Sequence, residues 1–227
     1  MAKKIYISPS SQPANTYSYG NTNEQEQCRK IGAALEKELD RCGFNSKAGL
    51  SGTMYTRVAE SNKMGADLHL PIHTNACNGK VAGLRIFVYK KGGEAEKIAK
   101  AIDAELAPIT PGTSDGISAQ PGLYEVKSSN AICVYIEVGF HDNKEEAKWI
   151  VEHTNDIAVA IAKGLCKHYG VKYVSAEATK EEAKAEEKAA VFYRVQVGAF
   201  DSRTNAENMK KKLKAAGFEG FVVEVKK

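Results

Sequence analysis

The sequence predicts an α/β domain built on a mostly parallel twisted sheet flanked by helices, followed by a small C-terminal β-α-β unit. Three observations carry that expectation. Through about residue 170, short β-branched runs alternate with longer amphipathic segments, as strands do when crossover helices join them. Residues 131–138 (AICVYIEV) are apolar enough to form a central strand, buried on both faces. Beyond residue 175 the composition collapses to Ala, Glu, Lys and one Thr over residues 176–190 (AEATKEEAKAEEKAA), with no side chain large and apolar enough to join a core. That run reads as a semi-rigid, helix-favouring linker between a domain at 1–175 and a segment at 191–227.

The elements follow in order. Residues 4–7 (KIYI) form the first strand. Asn23 caps a helix over 23–42, with Glu26 placed as in a capping box; Ile31, Leu35 and Leu39 then recur every fourth position, and Gly43 ends the run. Residues 67–73 (DLHLPIH), 84–89 (LRIFVY) and 131–138 read as further strands. Helices are expected over 53–64, 93–106 and 143–169. Residues 108–121, rich in Pro, Gly, Ser and Thr, read as a long loop. After the linker, 191–197 (VFYRVQV) alternates like a strand, 205–216 reads as a helix closed by Gly217, and 221–225 reads as a second strand.

Composition narrows the function. The chain has 227 residues, is 43% hydrophobic and carries a formal net charge of +4, enough for one ordinary core and an appendage but too mild a charge to indicate nucleic acid. No stretch approaches a membrane span. The N-terminus turns polar too soon for a signal peptide, and five scattered cysteines (Cys28, Cys42, Cys77, Cys133, Cys166) without a CxxC pair suggest reduced thiols. The expectation is synthesis in the cytoplasm without a signal peptide.

Three residues carry candidate chemistry. His73, with Thr74 and Asn75 after it, sits at the C-terminal end of a strand, where open α/β sheets place ligands; its neutral ring suits zinc, though a lone histidine is more often structural. Glu24 opens the first helix, where an acidic residue also complements the helix dipole. Glu137 lies within 132–140 (ICVYIEVGF), and a carboxylate among such neighbours is costly to bury without a partner or a task.

Taken together, Glu24 before an amphipathic helix, Ala66-Asp67, Ile72-His73-Thr74-Asn75-Ala76, Gly83-Leu84-Arg85-Ile86-Phe87 and Ile136-Glu137-Val138-Gly139-Phe140 resemble, in order and spacing, the zinc-dependent N-acetylmuramoyl-L-alanine amidases of the amidase 3 type. The resemblance spans about residues 3 to 170. It implies that Glu24 and His73 ligate Zn2+, that Glu137 is the catalytic carboxylate, and that Arg57, Asn75 and Gly139 shape the site. The implied reaction cleaves the amide between N-acetylmuramic acid and L-alanine in peptidoglycan. One departure stands out: the family follows its first strand with Asp-Pro-Gly-His-Gly, whose histidine is a third zinc ligand, and this chain reads Ser8-Pro9-Ser10-Ser11-Gln12. Ser11 replaces that histidine. His69 and His141 are the available substitutes; His69 precedes His73 by four residues, about 13 Å along a strand, so both cannot reach one ion unless the backbone breaks, and His141 is favoured over a water-completed site or a variant that does not bind zinc.

Residues 193–200 with the following helix and Ala216-Gly217-Phe218 resemble the first half of a sporulation-related repeat (SPOR-like) domain, a family that binds glycan strands stripped of peptides. A half-length unit would leave an apolar face exposed, and a homodimer through about residues 190–227 would cover it. Two alternatives stay open: a catalytically silent cell-wall-binding protein, and a zinc peptidase acting on the stem peptide. A phage endolysin and a mother-cell autolysin fit the sequence equally.

Overall fold

The computed structural model describes residues 2–178 and 193–225. Contacts divide the chain into two units, Met1–Glu181 and Glu182–Lys227. Most of the expected linker, residues 179–190, lies outside the described residues, as do Val191 and Phe192.

The first unit holds a six-stranded sheet: β1 (Lys4–Pro9), β2 (Asn45–Ala48), β3 (Leu68–Asn75), β4 (Arg85–Val88), β5 (Ile117–Ala119) and β6 (Ile132–Phe140). Its order is β2-β1-β3-β6-β4-β5. β1 runs parallel to β2 and β3, β3 to β6, and β4 to β5; β4 alone is antiparallel to its neighbour β6. The helices are α1 (Glu24–Arg41), α2 (Met54–Met64), α3 (Glu94–Leu106), α4 (Tyr124–Ser128), α5 (Lys144–Glu152) and α6 (Thr154–Tyr169).

Strand alternation sorts the residues between two faces. Ile5 and Ile7 of β1, Leu68, Leu70 and Ile72 of β3, and Val134, Ile136 and Val138 of β6 pack with apolar residues of α1, α3 and α6 into the main core. The intervening positions face α2 and α4. There Tyr6 donates to Glu60 of α2 (2.7 Å), and Cys133 and Tyr135 pack on Val126 of α4. His69, His73 and Glu137 share this second face. It is the polar side of a sheet that is apolar on the other.

Several expectations are refined. Asn23 accepts from the Glu26 amide (3.0 Å), but the Glu26 carboxylate takes the Thr22 hydroxyl instead of closing a capping box. The single helix expected over 143–169 is two, because the backbone leaves the helical region at His153 (φ −117°, ψ 28°), whose Nδ1 meets the Trp149 carbonyl at 2.9 Å. The expected loop at 108–121 contains the edge strand β5. Gly83 makes room for that loop: at φ 116° its α-carbon packs against the Thr113 backbone, where a Cβ would collide with the carbonyl.

In the second unit a helix spans Arg203–Ala215 and is closed by Phe218 N bonding to Leu213 O (2.9 Å) after Gly217 at φ 86°. Among the described residues, 193–200 and 218–225 carry no strand, which corrects the β-α-β expectation. Alternation alone does not make a strand: without a partner, no ladder hydrogen bonds form. Tyr193, Val195, Val197, Phe200, Phe218 and Phe221 are exposed.

Candidate active site

The site forms where β1, β3 and β6 end together with the N-terminus of α1. His73, at the end of β3, is register partner to Glu137 on β6, and Glu137 is in turn partner to Arg85 on β4. The β3–β6 register shifts between His73, paired with Glu137, and Asn75, paired with Phe140, which puts a bulge in β6 just beyond the histidine. Tyr135, two residues before Glu137, stacks on the His73 ring at 4.6 Å.

His73 is gripped at both nitrogens. Nδ1 meets Glu24 Oε1 at 2.9 Å, and Nε2 meets Glu125 Oε2 at 3.3 Å. Glu24 is itself fixed: Asn15 Nδ2 donates to Oε2 (2.5 Å) and the Thr74 amide to Oε1 (3.3 Å). Glu125, on α4, also accepts from His69 Nε2 (3.3 Å) and from the Ser8 hydroxyl. Thus one carboxylate spans the two histidines that are four residues apart on one strand. Gln12, from the segment after β1, brings Nε2 to 3.3 Å from His73 Nδ1.

The electrostatics follow from these partners. Burial works against charge on His73, but the bonds to Glu125 and Glu24 raise its pKa to about 9. Burial likewise opposes ionisation of Glu125, yet His69 and His73 hold it down at about 2. Glu24 balances burial against His73 and Asn15 and ends below the usual carboxylate range. Glu137 goes the other way: burial lifts it to about 7, although His73 pulls it down. Its Oε2 is buried with no hydrogen-bond partner among the described residues.

Of the residues expected from sequence, Glu24 and His73 come into direct contact, and Glu137 lies beside them on the next strand. His141 stands apart from that contact. Its Nδ1 bonds to Thr74 O and Thr74 Oγ1, both at 3.1 Å, and its ring stacks on Tyr17. The Nε2 atom forms no bond among the described residues. Arg57 is buried under the site, donating to the Pro9 and Ser51 carbonyls. Asn75 O accepts from the His141 amide (2.8 Å). Glu146 braces the turn after β6 by accepting from Phe140 N (2.7 Å) and Gly83 N (2.8 Å). Sequence reasoning missed Glu125, whose partners lie more than fifty residues away.

Part of a zinc donor set is in place. Glu24 Oε1 and His73 Nδ1 point at one another across 2.9 Å, and the orphaned Glu137 Oε2 is buried on the adjacent strand. Two donors therefore fit. Among the described residues no three of His, Cys, Asp and Glu already converge as a metal cage.

This geometry meets a family pattern. The profile of the N-acetylmuramoyl-L-alanine amidases of type amidase 3 matches residues 10–167, well over half of the chain. The chain belongs to this family. A second profile, that of the SPOR domain, matches residues 169–224; it starts at the end of α6 and takes in the Ala/Glu/Lys run, so the match is longer than the half-length unit expected at 191–227. The germination-specific N-acetylmuramoyl-L-alanine amidase of Bacillus subtilis (strain 168) is 32% identical over 119 residues, 51% of this chain and 50% of its own length. The N-acetylmuramoyl-L-alanine amidase CwlM of Bacillus licheniformis is 27% identical over 229 residues, covering 97% of this chain and 84% of the relative. The catalytic domain of CwlV from Bacillus (Paenibacillus) polymyxa superposes with a TM-score of 0.66 at 18% identity, over 75% of this chain and 99% of that one. The chain spans about half the length of curated relatives such as the germination-specific amidase. No helix among the described residues is long and apolar enough to cross a membrane.

Proposed function

We propose that the chain is a peptidoglycan hydrolase that cleaves the amide between N-acetylmuramic acid and L-alanine, with zinc held by Glu24 and His73. The observation that carries this reading is the meeting of Glu24 and His73 at one point, with Glu137 in register beside them and one of its oxygens unspent. Zinc bound there supplies a Lewis acid for the scissile carbonyl and lowers the pKa of water.

The chain's own residues do the rest. Glu137, lifted to about 7 by burial, is poised near neutrality. It takes a proton from the attacking water and returns it to the leaving amine of L-alanine. Arg85, its partner on β4, is anchored by Asp115 (Nε to Oδ2, 2.6 Å) and adds positive charge that steadies the ionised form. For the ligand that Ser11 does not supply, the proposal is His141 through Nε2. The Nδ1 bond to the Thr74 carbonyl favours the tautomer with a free Nε2 lone pair, a common arrangement of metal-binding histidines.

The SPOR match supports wall binding by the C-terminal segment, with peptidoglycan as the partner. A homodimer through residues 190–227 remains a proposal supported only by the exposed apolar side chains of that unit. The catalytic reading is tested by incubating purified peptidoglycan with the zinc-loaded chain and with Glu137→Gln. Release of stems beginning with L-alanine by the first and not the second supports it. A silent wall-binding protein would release nothing, and a stem peptidase would expose other amino termini.

A further inference from the structure

Glu125 has a hydrogen-bond partner on both carboxylate oxygens, and nothing in the reaction outlined above uses it. Its carboxyl is 3% exposed and bonds to three side chains from two strands: the Ser8 hydroxyl on β1, and His69 and His73 on β3. A buried carboxylate is costly unless its lone pairs are taken, and here both oxygens are. α4, which carries it, is five residues long and packs on α2 and β6 over the polar face of the sheet. The bond to His73 falls on Nε2, the nitrogen opposite the one that meets Glu24.

We propose that Glu125 is a positioning residue: it holds the Nε2–H of His73 so that Nδ1 is presented to Glu24 and to the cation the two would share. A histidine ring left alone turns about χ2 and exchanges tautomers, and each turn exchanges the nitrogen that faces the ligand site. A carboxylate on one nitrogen fixes both the ring plane and the tautomer and makes the other nitrogen a better donor. Tyr135, stacked on the same ring, limits tilt without choosing between the nitrogens. Among the described residues Glu125 is the carboxylate on Nε2, opposite the nitrogen that meets Glu24. Ser8 and His69 in turn keep the carboxylate from rotating away.

The proposal rests on the zinc reading for one of its two tests and not for the other. The first uses metal-free, 15N-labelled protein and reads the His73 Nε2–H in a long-range 1H–15N spectrum. In the wild type this proton is expected to exchange slowly; in Glu125→Leu it should exchange at least tenfold faster. The second measures zinc dissociation constants by competition with a chromophoric chelator. Glu125→Leu should weaken zinc binding about 10–100-fold, the usual consequence of losing such a partner. Glu125→Gln, whose single amide oxygen cannot accept from both histidines, should weaken it about tenfold, and Ser8→Ala less than threefold. Should Glu125→Leu not fold, the isosteric Gln variant carries both tests. Equal Nε2–H exchange in wild type and variant overturns the proposal, as does zinc affinity unchanged within threefold. A wild type that takes up no zinc removes the zinc reading, and the exchange measurement then decides the role of Glu125 alone.

Discussion

Glu125 on α4 and Glu137 on β6 lie on the same side of the sheet, and both act on His73, yet their surroundings drive them to opposite states. Glu125 is bonded by Ser8, His69 and His73 and stays ionised far into acid. Glu137 is partly buried, has one buried oxygen without a partner among the described residues, and is lifted towards neutrality. Burial raises both; the number of donors decides the outcome. A saturated carboxylate holds its neighbours still, whereas one with an unspent lone pair can take and return a proton near pH 7.

The largest effect is expected at Glu137. Glu137→Gln should keep its fold and lose two to four orders of magnitude in stem release, read as kcat on purified peptidoglycan. His73→Ala should lose its zinc, read as metal per chain after dialysis, because it removes the ring nitrogen that meets Glu24 Oε1. A fall of less than twofold in bound zinc would remove His73 from the metal site. His141→Ala separates the proposed third ligand from a packing role: as a ligand it lowers zinc affinity at least tenfold, and as packing it lowers only the melting temperature.

Stability against pH sharpens the contrast in metal-free protein, because the two carboxylates carry opposite signs. Glu125 has a depressed folded pKa of about 2. Its contribution is present above the ordinary carboxylate value near 4.5 and is lost as pH falls towards 2, so Glu125→Gln should melt several degrees below wild type at pH 7 with the gap closing in acid. Glu137 has a raised folded pKa of about 7. Its ionisation costs stability as pH climbs from about 4.5 through 7, so Glu137→Gln should melt a few degrees above wild type at pH 8 and level with it at pH 4. Melting shifts of the same sign for both variants would contradict the assignment. The smallest expected effect lies in the other unit: sedimentation of the full chain against one ending at Ser175 tests the homodimer, and two monomers would end that proposal.

How much of this the sequence disclosed depends on how local each signal is. β1, β3, β6 and α1 were legible because their apolar spacing repeats within a few residues. β2 (NSKA) and β5 (ISA) were not, since short edge strands carry little β-branched content and are made by their neighbours. Glu137 announced itself through its apolar flanks, which the structure explains by strand alternation: Ile136 and Val138 face the main core while Glu137 faces α4's side. Glu125 gave no signal. It sits on a five-residue helix, and its three partners stand 52 to 117 positions away, so only the folded chain brings them together. In the C-terminal segment alternation was visible and still insufficient, because ladder partners are not written in a strand's own residues.

The proposed reaction of this site is hydrolysis of the bond to the first residue of the stem. The direct measurement is the identity of the new amino termini that the zinc-loaded chain releases from purified peptidoglycan. L-alanine termini are expected, in amounts that rise with time, and none above background with Glu137→Gln. Termini from inside the stem peptide, or equal release by the variant, would contradict it.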